Sequence, residues 1–531
     1  MKRKAPLSSV SPDPSRVSPS PSICIPVCEP RAIDLRSAVI HAVESADIVE
    51  LRLDYLQGDE LFKALRGLPA LISASPKPVI VTLRPMNQGG QREMDDLTRI
   101  IFWVEHFLYG KPHVDFADME LDVVRIFQTR EKDEGKTLLD WDRVICSQHY
   151  FENVPSDLNK IYAELASTPA SVLKLAVRAH DAIDCIPVFK LLEQARRDGR
   201  KMIAIAMGQA GIATRILGPA LGGFLTYAAL DKAHQTAPGQ VSAAELRDCY
   251  RINKLNAESE VLGLIGSPVS HSLSPRIHNA AFDALDLNAV YLPLEVHDLG
   301  AFVRRMVHPR TREIEWRLRG LSVTAPHKSA VIEHLDWCDP EAAEIGAVNT
   351  IEIEGERLLG YNTDAAAFTA PLTAKGIELS NGNCAVIGAG GVARAVLWSL
   401  RKKGARATVF ARDVAKASST AEEFGADFRQ LDGASFAGFD VVVNATPLGT
   451  RGQREMDTAA SAEQLRGAGI AYDLVYNPSD TRFQREARQA GCETIGGLAM
   501  LIEQAALQFK IWMKQAAPRD VMTKEVLSYE F

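Results

Sequence analysis

The sequence predicts an α/β protein with an N-terminal (β/α)8 TIM barrel, followed by a two-lobed unit whose second lobe has a Rossmann-type nucleotide-binding fold. Three observations give this prediction. Eight short β-branched runs alternate with helical segments over about 230 residues, the length of one barrel. A strand, a glycine-rich loop, a helix and a second strand follow one another from Asn383 onwards. The 531 residues, 46% hydrophobic and 24% charged, supply enough apolar side chains for several packed cores.

The charge balance and the cysteines exclude several classes of protein. The net charge of −7 and the pI near 6.0 argue against a nucleic-acid-binding or membrane-surface protein. No apolar run approaches the ~20 residues that a membrane-spanning helix needs. The eight irregularly spaced cysteines fit buried thiols, and no Cys/His set suggests zinc. We therefore expect small-molecule partners, no metal, no nucleic acid and no membrane, with the oligomeric state open and a monomer compatible.

The chain divides by composition and by pattern. Residues 1–21 are rich in Pro and Ser, which predicts a disordered tail and a cytoplasmic protein. The alternative for this tail is a transit peptide, which would place the protein in a plastid. The remaining predicted segments are the barrel at 22–250, a linker at 251–259, a substrate-binding lobe at 260–370, a nucleotide-binding lobe at 371–495, and C-terminal helices at 496–531 that return to the substrate lobe.

The barrel prediction depends on eight strands in chain order. They are expected at Ser22–Val27, Asp47–Leu53, Pro78–Leu83, His113–Leu121, Arg143–Ser147, Ser171–Val177, Lys201–Met207 and Gly222–Tyr227. Helical spacing separates them, as at Ile183–Gln194, and Gly199 ends that helical stretch. An open doubly wound sheet is the alternative, but no glycine-rich phosphate loop follows any of these strands.

Polar side chains collect where these strands end, which is the edge at which barrel enzymes place their chemistry. They are Glu50, Arg52, Thr82, Arg84, Asp118, Glu120, Arg215 and His149, the last expected just beyond the fifth strand. Lys174 stands in the middle of an apolar strand, where an ammonium is costly unless it is paired or neutral. Desolvation and neighbouring cations would leave a nucleophilic amine, with His149 as a general base. The alternative is a lysine whose tip reaches a carboxylate such as Glu120.

This half resembles the type I 3-dehydroquinate dehydratase family. The matching motifs are VELRLD (49–54), VTLRP with a following GG (81–90), ADMEL (117–121), CSQHYF (146–151), VLKLA (172–176), MGQAGIATR (207–215) and TAPGQ (236–240). The resemblance implies a Schiff base on Lys174 and His149 as general acid/base. It also implies substrate binding by Glu50, Arg52, Arg84, Arg215, Thr236 and Gln240. Gln88 stands where the family commonly has Glu, and Thr214 and Thr236 stand where it commonly has Ser.

The second half opens with a strand that runs into a Ser/Pro-rich loop, SPVSHSLSP (267–275). Ser270 and Ser272 could face one ligand, although helix capping by Ser272 or Ser274 is the alternative. Further on, Lys328 and Asp364 each follow a loop rich in hydroxyls and amides. Close together they could exchange a proton, while taken singly each is an ordinary surface charge.

The glycine loop GAGGVA (388–393) follows a strand and opens a helix, the arrangement that binds a pyrophosphate. Arg412, near the end of the next strand, favours the 2′-phosphate of NADP, whereas Asp413 beside it weakens that preference.

This half resembles shikimate dehydrogenase over about residues 260–516. The matches are SPVSHSLSP, SVTAPHK, GAVNT, GYNTD, GAGGVARA, NATPLGT, DLVYNP and GGLAMLIEQAALQFKIW. The resemblance implies that Lys328 and Asp364 are catalytic. It implies substrate binding by Ser270, Ser272, Thr324, Asn349, Tyr476 and Gln504. It implies nucleotide binding by Gly388, Gly390, Gly391, Arg412, Asn444 and Thr446. Ser322 and Ala411 replace asparagines often seen in that family.

Together the two resemblances predict a fused enzyme that dehydrates 3-dehydroquinate and reduces the product to shikimate with NADPH. Three alternatives stay open at this point: a class I aldolase barrel, a quinate dehydrogenase that uses NAD, and a non-catalytic sensor of pathway intermediates.

Overall fold

The computed structural model describes residues 22–107, 114–231 and 239–529. The chain forms two compact units, Met1–Ser259 and Glu260–Phe531. The predicted tail and Thr236 lie outside the described residues. No helix in the described ranges is long and apolar enough to cross a membrane.

The first unit is a nearly closed barrel of eight parallel strands, as predicted. The strands are β1 Ile23–Val27, β2 Ile48–Arg52, β3 Val79–Thr82, β4 Phe116–Glu120, β5 Val144–Tyr150, β6 Val172–Arg178, β7 Lys201–Met207 and β8 Thr226–Tyr227. Each strand pairs with the next from β1 to β7, and β8 pairs with β1. A backbone hydrogen bond of 2.8 Å from Phe224 N to Met202 O joins the two remaining edges.

Seven α-helices accompany these strands. They are α1 Leu35–Ser45, α2 Glu60–Ala74, α3 Asp96–Phe107, α4 Leu121–Glu134, α5 Leu158–Ala166, α6 Cys185–Arg197 and α7 Ile212–Leu217. Because the helices cover the outer face of every strand, residues on both faces of the barrel wall are buried. This is why the strands are nearly continuous apolar runs in the sequence.

The two-residue period of the strands sorts side chains into inward layers. Ile48, Ile80, Phe116, Ile145, Val172 and Ile203 belong to one apolar cluster inside the barrel. Two residues further along β2 to β6, polar side chains take the inward position, whereas β7 has Ile205 there. The barrel is therefore closed by an apolar floor, and its polar residues lie together above it.

Seven of the eight barrel strands have bounds that differ from the sequence prediction, and two of these differences, in β5 and β8, change how the strand is understood. The fifth strand continues to Tyr150, so His149 lies within it and pairs with Ala176 rather than lying beyond the strand end. The eighth strand is only Thr226–Tyr227, because a 3-10 turn and the left-handed Gly222 occupy the residues before it. In both cases pairing with the neighbouring strand decides the length, and pairing is not visible in a single run of sequence.

The second unit begins with a mixed sheet. Its strands are β9 Glu260–Gly266, β10 Ala289–Glu295, β11 Leu318–Val323, β12 Trp337–Cys338, β13 Thr350–Glu354 and β14 Arg357–Tyr361. The order is β10-β9-β11-β13-β14-β12, with β13 and β14 forming the expected antiparallel hairpin. The helices of this lobe are α8 Ser274–Ala284, α9 Leu299–Phe302 and α10 Pro340–Ile345.

The nucleotide-binding lobe has six parallel strands in the order β17-β16-β15-β18-β19-β20. They are β15 Asn383–Ile387, β16 Arg406–Ala411, β17 Asp427–Gln430, β18 Val441–Asn444, β19 Ile470–Asp473 and β20 Glu493–Ile495. The order reverses between β15 and β18, and ligands bind beside such a reversal in doubly wound sheets. The helices are α11 Asp364–Ala374, α12 Gly391–Lys402, α13 Val414–Phe424, α14 Ala462–Leu465 and α15 Arg482–Ala490. Helix α12 begins at Gly391, within the glycine loop.

Two C-terminal helices, α16 Leu498–Met513 and α17 Arg519–Tyr529, return to the mixed sheet. Phe509 and Trp512 of α16 belong to the same buried cluster as Leu262 and Tyr291 of that sheet. This packing carries Gln504 and Gln508, on the same helix, towards the loops of the substrate-binding lobe.

Candidate active sites

Lys174 lies on the inner face of β6 and its ammonium is almost fully enclosed. Its Nζ donates hydrogen bonds of 2.7 Å to Asp118 Oδ2 and of 2.7 Å to Tyr227 Oη, and it lies 3.6 Å from Glu50 Oε1. The carboxylate it reaches is therefore Asp118, not Glu120 as the alternative in the sequence analysis proposed. Glu50 is itself held by Thr82, whose hydroxyl donates to Oε1 over 2.7 Å.

Arg84 binds the carboxylates that surround Lys174. Its guanidinium lies 2.7 Å from Asp118 Oδ2 and 2.7 Å from Glu120 Oε1, and it also donates to Ser147 Oγ over 2.7 Å. Burial alone would raise the pKa of the Asp118 carboxyl, but the charges of Arg84 and Lys174 hold that pKa well below its usual range. Asp118 is thus an anion shared by two buried cations.

His149 stands one strand from Lys174 on the same side of the barrel. Its backbone N–H donates to Gln88 Oε1 over 3.0 Å, and its ring stacks on Phe151 with centroids 6.1 Å apart. Burial lowers the pKa of the imidazole well below its usual value, and the charges of Arg84 and Lys174 lower it further. The Nδ1 atom is buried with no hydrogen-bond partner among the described residues. The ring is therefore a neutral base at neutral pH.

Arg215, in α7, is a buried cation that no carboxylate pairs with in the described part of the chain. One of its terminal nitrogens donates to Tyr227 O over 3.3 Å, and Nε is buried without a partner. Burial lowers its guanidinium pKa to about 10. Arg52, in contrast, donates to the two carboxylate oxygens of Asp54 from Nε over 2.9 Å and from one terminal nitrogen over 2.8 Å. Arg215 is thus the cation of this site that is ready to accept an anionic ligand.

Gln240 is buried and follows the undescribed range that contains Thr236. Each remaining substrate residue expected in this half, Glu50, Arg52, Arg84 and Arg215, lies at or just beyond the carboxyl end of a strand.

In the second unit, Lys328 and Asp364 form an ion pair. This is the close arrangement that the sequence allows, rather than two separate surface charges. Lys328 Nζ donates to Asp364 Oδ2 over 2.6 Å. Lys328 follows β11 in a turn, and Asp364 is the first residue of α11, so two separate stretches of this unit supply the pair. The other carboxylate oxygen, Oδ1, accepts 2.8 Å from Asn349 Nδ2. A proton carrier and a fixed carboxylate are thus in direct contact.

Of the other substrate residues expected in this unit, Asn349 contacts the pair and Gln504 contacts Asn349. Asn349 is buried, and its Nδ2 also lies 3.5 Å from Gln504 Oε1, which shows that Gln504 points into the molecule. Ser270 is exposed, and Thr324 follows β11. Ser272 Oγ accepts from Ser274 N over 3.2 Å at the start of α8, whose N-cap residue is Leu273.

Tyr476 packs against the core that α16 shares with the mixed sheet, and burial raises the pKa of its hydroxyl. It therefore stays a neutral phenol at physiological pH.

The glycine loop lies directly beside Lys328. Gly388 has φ +113°, a conformation that side chains rarely allow, and a Cβ on Gly391 would lie 3.0 Å from Lys328 Cβ. Gly390 caps α12 without any side-chain hydrogen bond, and a Cβ there would meet nothing within 4 Å. The first N–H groups of α12 are thus open to an anion. Arg412 is exposed just after β16.

Asn444 and Thr446 order the loop after β18. Asn444 Oδ1 accepts from Thr446 N over 3.0 Å and from Thr446 Oγ1 over 2.7 Å, while its Nδ2 donates to Asp473 Oδ1 over 2.9 Å. Burial raises the pKa of the Asp473 carboxyl to about 6. Asp473 also accepts from the Thr481 hydroxyl, so one buried carboxyl fixes the loop and the start of α15.

Three residues that touch these sites were given no role from the sequence. Tyr227 and Asp118 contact Lys174, and Gln508 lies one helical turn after Gln504 and is buried. The two-residue period of a strand could have identified the first two, because Asp118 follows the inward Phe116 by two residues and Tyr227 follows the inward Leu225 by two. The four-residue spacing on one helix could have found Gln508. No group of three or more potential metal ligands occurs in the described ranges.

Family models match nearly the whole described chain. The "Type I 3-dehydroquinase" model matches residues 23–257, and "Shikimate dehydrogenase substrate binding domain" matches 264–351. "Putative NAD(P)-binding" matches 376–483, and "Shikimate 5'-dehydrogenase C-terminal domain" matches 497–527.

Known proteins with both halves resemble the whole chain. The chain is 34% identical to "Bifunctional 3-dehydroquinate dehydratase/shikimate dehydrogenase, chloroplastic" of Arabidopsis thaliana, over 91% of this chain and 80% of that one. It is 29% identical to "Shikimate biosynthesis protein AroDE" of Chlamydia pneumoniae, over 92% of this chain and 95% of that one. It is 36% identical to "Shikimate dehydrogenase (NADP(+))" of Carboxydothermus hydrogenoformans, over 51% of this chain and 98% of that one.

Proposed function

The chain belongs to the family of bifunctional 3-dehydroquinate dehydratase/shikimate dehydrogenases, and on this premise we propose how its own residues carry out the two reactions. The first unit is the type I dehydratase, and the second is the NADP-dependent dehydrogenase. We assign the dehydration of 3-dehydroquinate to Lys174 and His149. We assign the reduction of 3-dehydroshikimate to Lys328 and Asp364.

The dehydration begins with the amine of Lys174. Nζ attacks the ketone carbon of 3-dehydroquinate, and the former carbonyl oxygen leaves as water to give an iminium ion. The ammonium must first lose a proton. Tyr227 Oη, 2.7 Å from Nζ and 3.4 Å from Glu50 Oε1, offers a route for that proton towards a carboxylate. Burial of Lys174 among these partners is the observation that carries the assignment.

His149 then acts on the carbon next to the iminium carbon. The iminium withdraws electrons and acidifies that C–H bond, and the neutral imidazole removes the proton. The imidazolium then returns the proton to the β-hydroxyl, which leaves as water. Hydrolysis of the product imine restores the amine. The low pKa of His149 supports this role, because a base must be unprotonated when the substrate binds. Arg215, which no carboxylate neutralises in the described ranges, holds the substrate carboxylate.

Borohydride trapping tests the imine. Treating the full chain with 3-dehydroquinate and borohydride is expected to leave one covalent adduct, located on Lys174 by mass spectrometry of peptides. Lys174→Met is expected to give no adduct, whereas His149→Asn should still form it while turnover falls by a factor of about 10² or more. An intact protein that binds 3-dehydroquinate and forms no adduct would overturn the assignment.

The nucleotide-binding lobe of the second unit fits NADP. The open N-terminus of α12 and the glycines at 388, 390 and 391 would hold the pyrophosphate, and Arg412 the 2′-phosphate. Asn444 and Thr446 would line the same site through the loop after β18. When bound, NADPH supplies a hydride to the ketone carbon. Because the glycine loop adjoins Lys328, a nucleotide held by that loop would lie close to the residue that donates the proton.

Lys328 and Asp364 supply the proton. The Lys328 ammonium donates to the ketone oxygen as that oxygen becomes a hydroxyl, and the Asp364 carboxylate stabilises the ammonium at 2.6 Å. Ser270, Ser272, Thr324, Asn349, Tyr476 and Gln504 are the residues to which we assign the binding of the substrate hydroxyls and carboxylate.

Substrate and cofactor pairs separate this assignment from a quinate dehydrogenase. We expect 3-dehydroshikimate with NADPH to be turned over faster than with NADH, and shikimate to be oxidised faster than quinate. A strong preference for quinate with NAD would overturn the second assignment. Absence of turnover with tight binding of both ligands would favour the sensor.

A further inference from the structure

Six buried polar side chains form one continuous hydrogen-bonded line that ends on the carboxylate of Asp364. All six are at most 4% exposed. Along the line, Tyr291 OH donates to Ser322 Oγ over 2.6 Å, and Ser322 OH donates to Gln508 Oε1 over 2.9 Å. Gln508 Nε2 donates to Thr350 Oγ1 over 3.0 Å. The last two bonds, from Thr350 OH to Asn349 Oδ1 and from Asn349 Nδ2 to Asp364 Oδ1, are each 2.8 Å long.

Chemistry forces the direction of every bond in this line. An ionised carboxylate only accepts, so Asn349 must turn its amide nitrogen to Asp364 and its oxygen away. That oxygen needs donors, which are the Thr350 hydroxyl and the Thr363 backbone N–H at 2.8 Å. Since Thr350 donates its one hydrogen to Asn349, its oxygen accepts from the Gln508 amide nitrogen.

The remaining members of the line follow from the orientation of Gln508. With its nitrogen on Thr350 and on the Asn349 carbonyl at 3.1 Å, Gln508 presents its oxygen to Ser322. Ser322 must then donate, and it accepts in turn from Tyr291. Hydrogen bonds that all point one way polarise and strengthen one another in a buried setting. A wrongly turned amide would leave a buried donor facing another donor, which is costly.

We propose that Tyr291, Ser322 and Gln508 are positioning residues for the reduction, because they fix the Asn349 amide in the one orientation that donates to Asp364. The inference deepens the proposed function of the Lys328–Asp364 pair and rests on it. Ser322 replaces an asparagine that is often seen at this position in the shikimate dehydrogenase family. In this chain the hydroxyl at that position completes the line, since it both donates and accepts.

The test uses two variants of nearly equal shape, Ser322→Thr and Ser322→Val. Both add bulk at the same buried place, but only threonine keeps the hydroxyl that donates to Gln508. We expect kcat for the reduction of 3-dehydroshikimate to be about three- to tenfold lower in the valine variant than in the threonine variant, the worth of one buried hydrogen bond. We expect KM to differ between the two by less than about twofold, because ground-state binding is not what the line controls.

The dehydratase activity of the same samples, whose residues lie in the other compact unit, corrects for the amount of protein, and the NADP bound at saturation gives the fraction of the second unit that is folded. Equal kcat values for the two Ser322 variants, after this correction, would overturn the proposal. Tyr291→Phe provides an independent arm that adds no bulk, since it removes the first donor and keeps the ring that stacks on His278 at 4.4 Å. An unchanged kcat in Tyr291→Phe would likewise contradict the proposal.

The same experiments separate the two proposals. If wild-type protein does not reduce 3-dehydroshikimate with NADPH, the proposed function of the second unit fails. If wild-type protein does so and the valine and threonine variants behave alike, the Lys328–Asp364 pair keeps its role and only the line of positioning residues is refuted.

Discussion

Lys174 and Lys328 each form a short ion pair with an aspartate, yet their surroundings differ in charge. The Lys174 side chain is 7% exposed and shares Asp118 with Arg84, while Glu50 lies 3.6 Å away. The Lys328 side chain is 16% exposed, and its aspartate accepts a hydrogen bond from the neutral amide of Asn349 rather than from a second cation. In the barrel, charged side chains of both signs surround the amine of Lys174. In the dehydrogenase unit, dipoles set the orientation of a carboxylate.

The difference matches the chemistry that we assign to each site. An amine that attacks a ketone must lose its proton, and the amine of Lys174 stands among charged groups of both signs. A group that passes a proton to a ketone oxygen needs to keep its charge and to stand in the right place. The first site should therefore be sensitive to any change in charge, and the second to the loss of single hydrogen bonds.

Replacing the shared anion should have the largest effect. Asp118→Asn leaves Arg84 and Lys174 without their common partner, so we expect the barrel to lose about 3–5 kcal/mol of unfolding free energy. Dehydratase kcat should fall at least about a hundredfold. Denaturant titration that follows the dehydratase unit, together with steady-state kinetics, measures both. The matched control is Asp122→Asn, whose side chain is 53% exposed and should cost about 1 kcal/mol or less. Equal effects of the two substitutions would contradict the difference in burial.

Replacing Arg215, which no carboxylate pairs with in the described ranges, should raise stability while it weakens substrate binding. Arg215→Met removes a buried charge that no carboxylate balances in the described ranges, so the barrel should become more stable by about 1 kcal/mol or more. Binding of the substrate carboxylate should weaken by about a hundredfold, seen as a rise in KM for 3-dehydroquinate. Arg84→Met is the control, because it should lose both stability and activity by leaving Asp118 and Glu120 unpaired. A destabilised Arg215→Met protein would show that this charge is compensated.

Acid should affect the two sites through different histidines. His278 is buried with its pKa lowered to about 3, so between pH 6.5 and 3 the unfolded chain takes up a proton that the folded chain does not. Unfolding free energy of the second unit should fall by about 2 kcal/mol between pH 7 and pH 5 from this group. His278→Asn should remove that part of the pH dependence.

For His149, the base that we assign to the barrel, the prediction concerns how dehydratase activity depends on pH. Because the pKa of His149 lies well below 6.5, dehydratase kcat/KM should show no fall centred on pH 6.5. A fall centred there would show that the imidazole titrates normally and is not enclosed as the structure has it.

The smallest expected effect concerns the nucleotide loop. Asp473→Asn keeps the shape of the side chain but can no longer accept at both oxygens from Asn444 and Thr481. The loop after β18 should loosen, and KM for NADPH should rise about fivefold with little change in kcat. Thr481→Ser, which keeps the hydroxyl, is the control and should stay near wild type. A fall in kcat without a change in KM would mean that Asp473 acts on the reaction rather than on the loop.

Local sequence patterns predict much of this architecture. Apolar alternation indicates the strands, and polar residues near strand ends such as Glu50 and Arg84, with Lys174 inside an apolar strand, indicate the barrel site. The glycine loop and its flanking strands indicate the nucleotide lobe. These features succeed because each is set by neighbours along the chain: a two-residue period, a tight turn or a helix start.

Contacts between distant parts of the chain were not predictable in the same way. The partner of Lys174 is Asp118 rather than Glu120 because inward positions on separate strands meet at a depth that the strand register decides. The Ser322–Gln508 bond joins residues 186 apart, and its existence depends on how α16 packs on the mixed sheet. His149 lies inside a strand because pairing with β6 extends it. Tertiary packing decides all three.

One coupled assay tests the central claim, that two separate sites act in sequence on one chain. The purified protein receives 3-dehydroquinate and NADPH, and formation of 3-dehydroshikimate, formation of shikimate and loss of NADPH are followed together. Wild type should form shikimate, Lys174→Met should leave both reagents unused but still reduce added 3-dehydroshikimate, and Asp364→Asn should accumulate 3-dehydroshikimate. Loss of both activities in either variant, with the protein folded, would contradict the account.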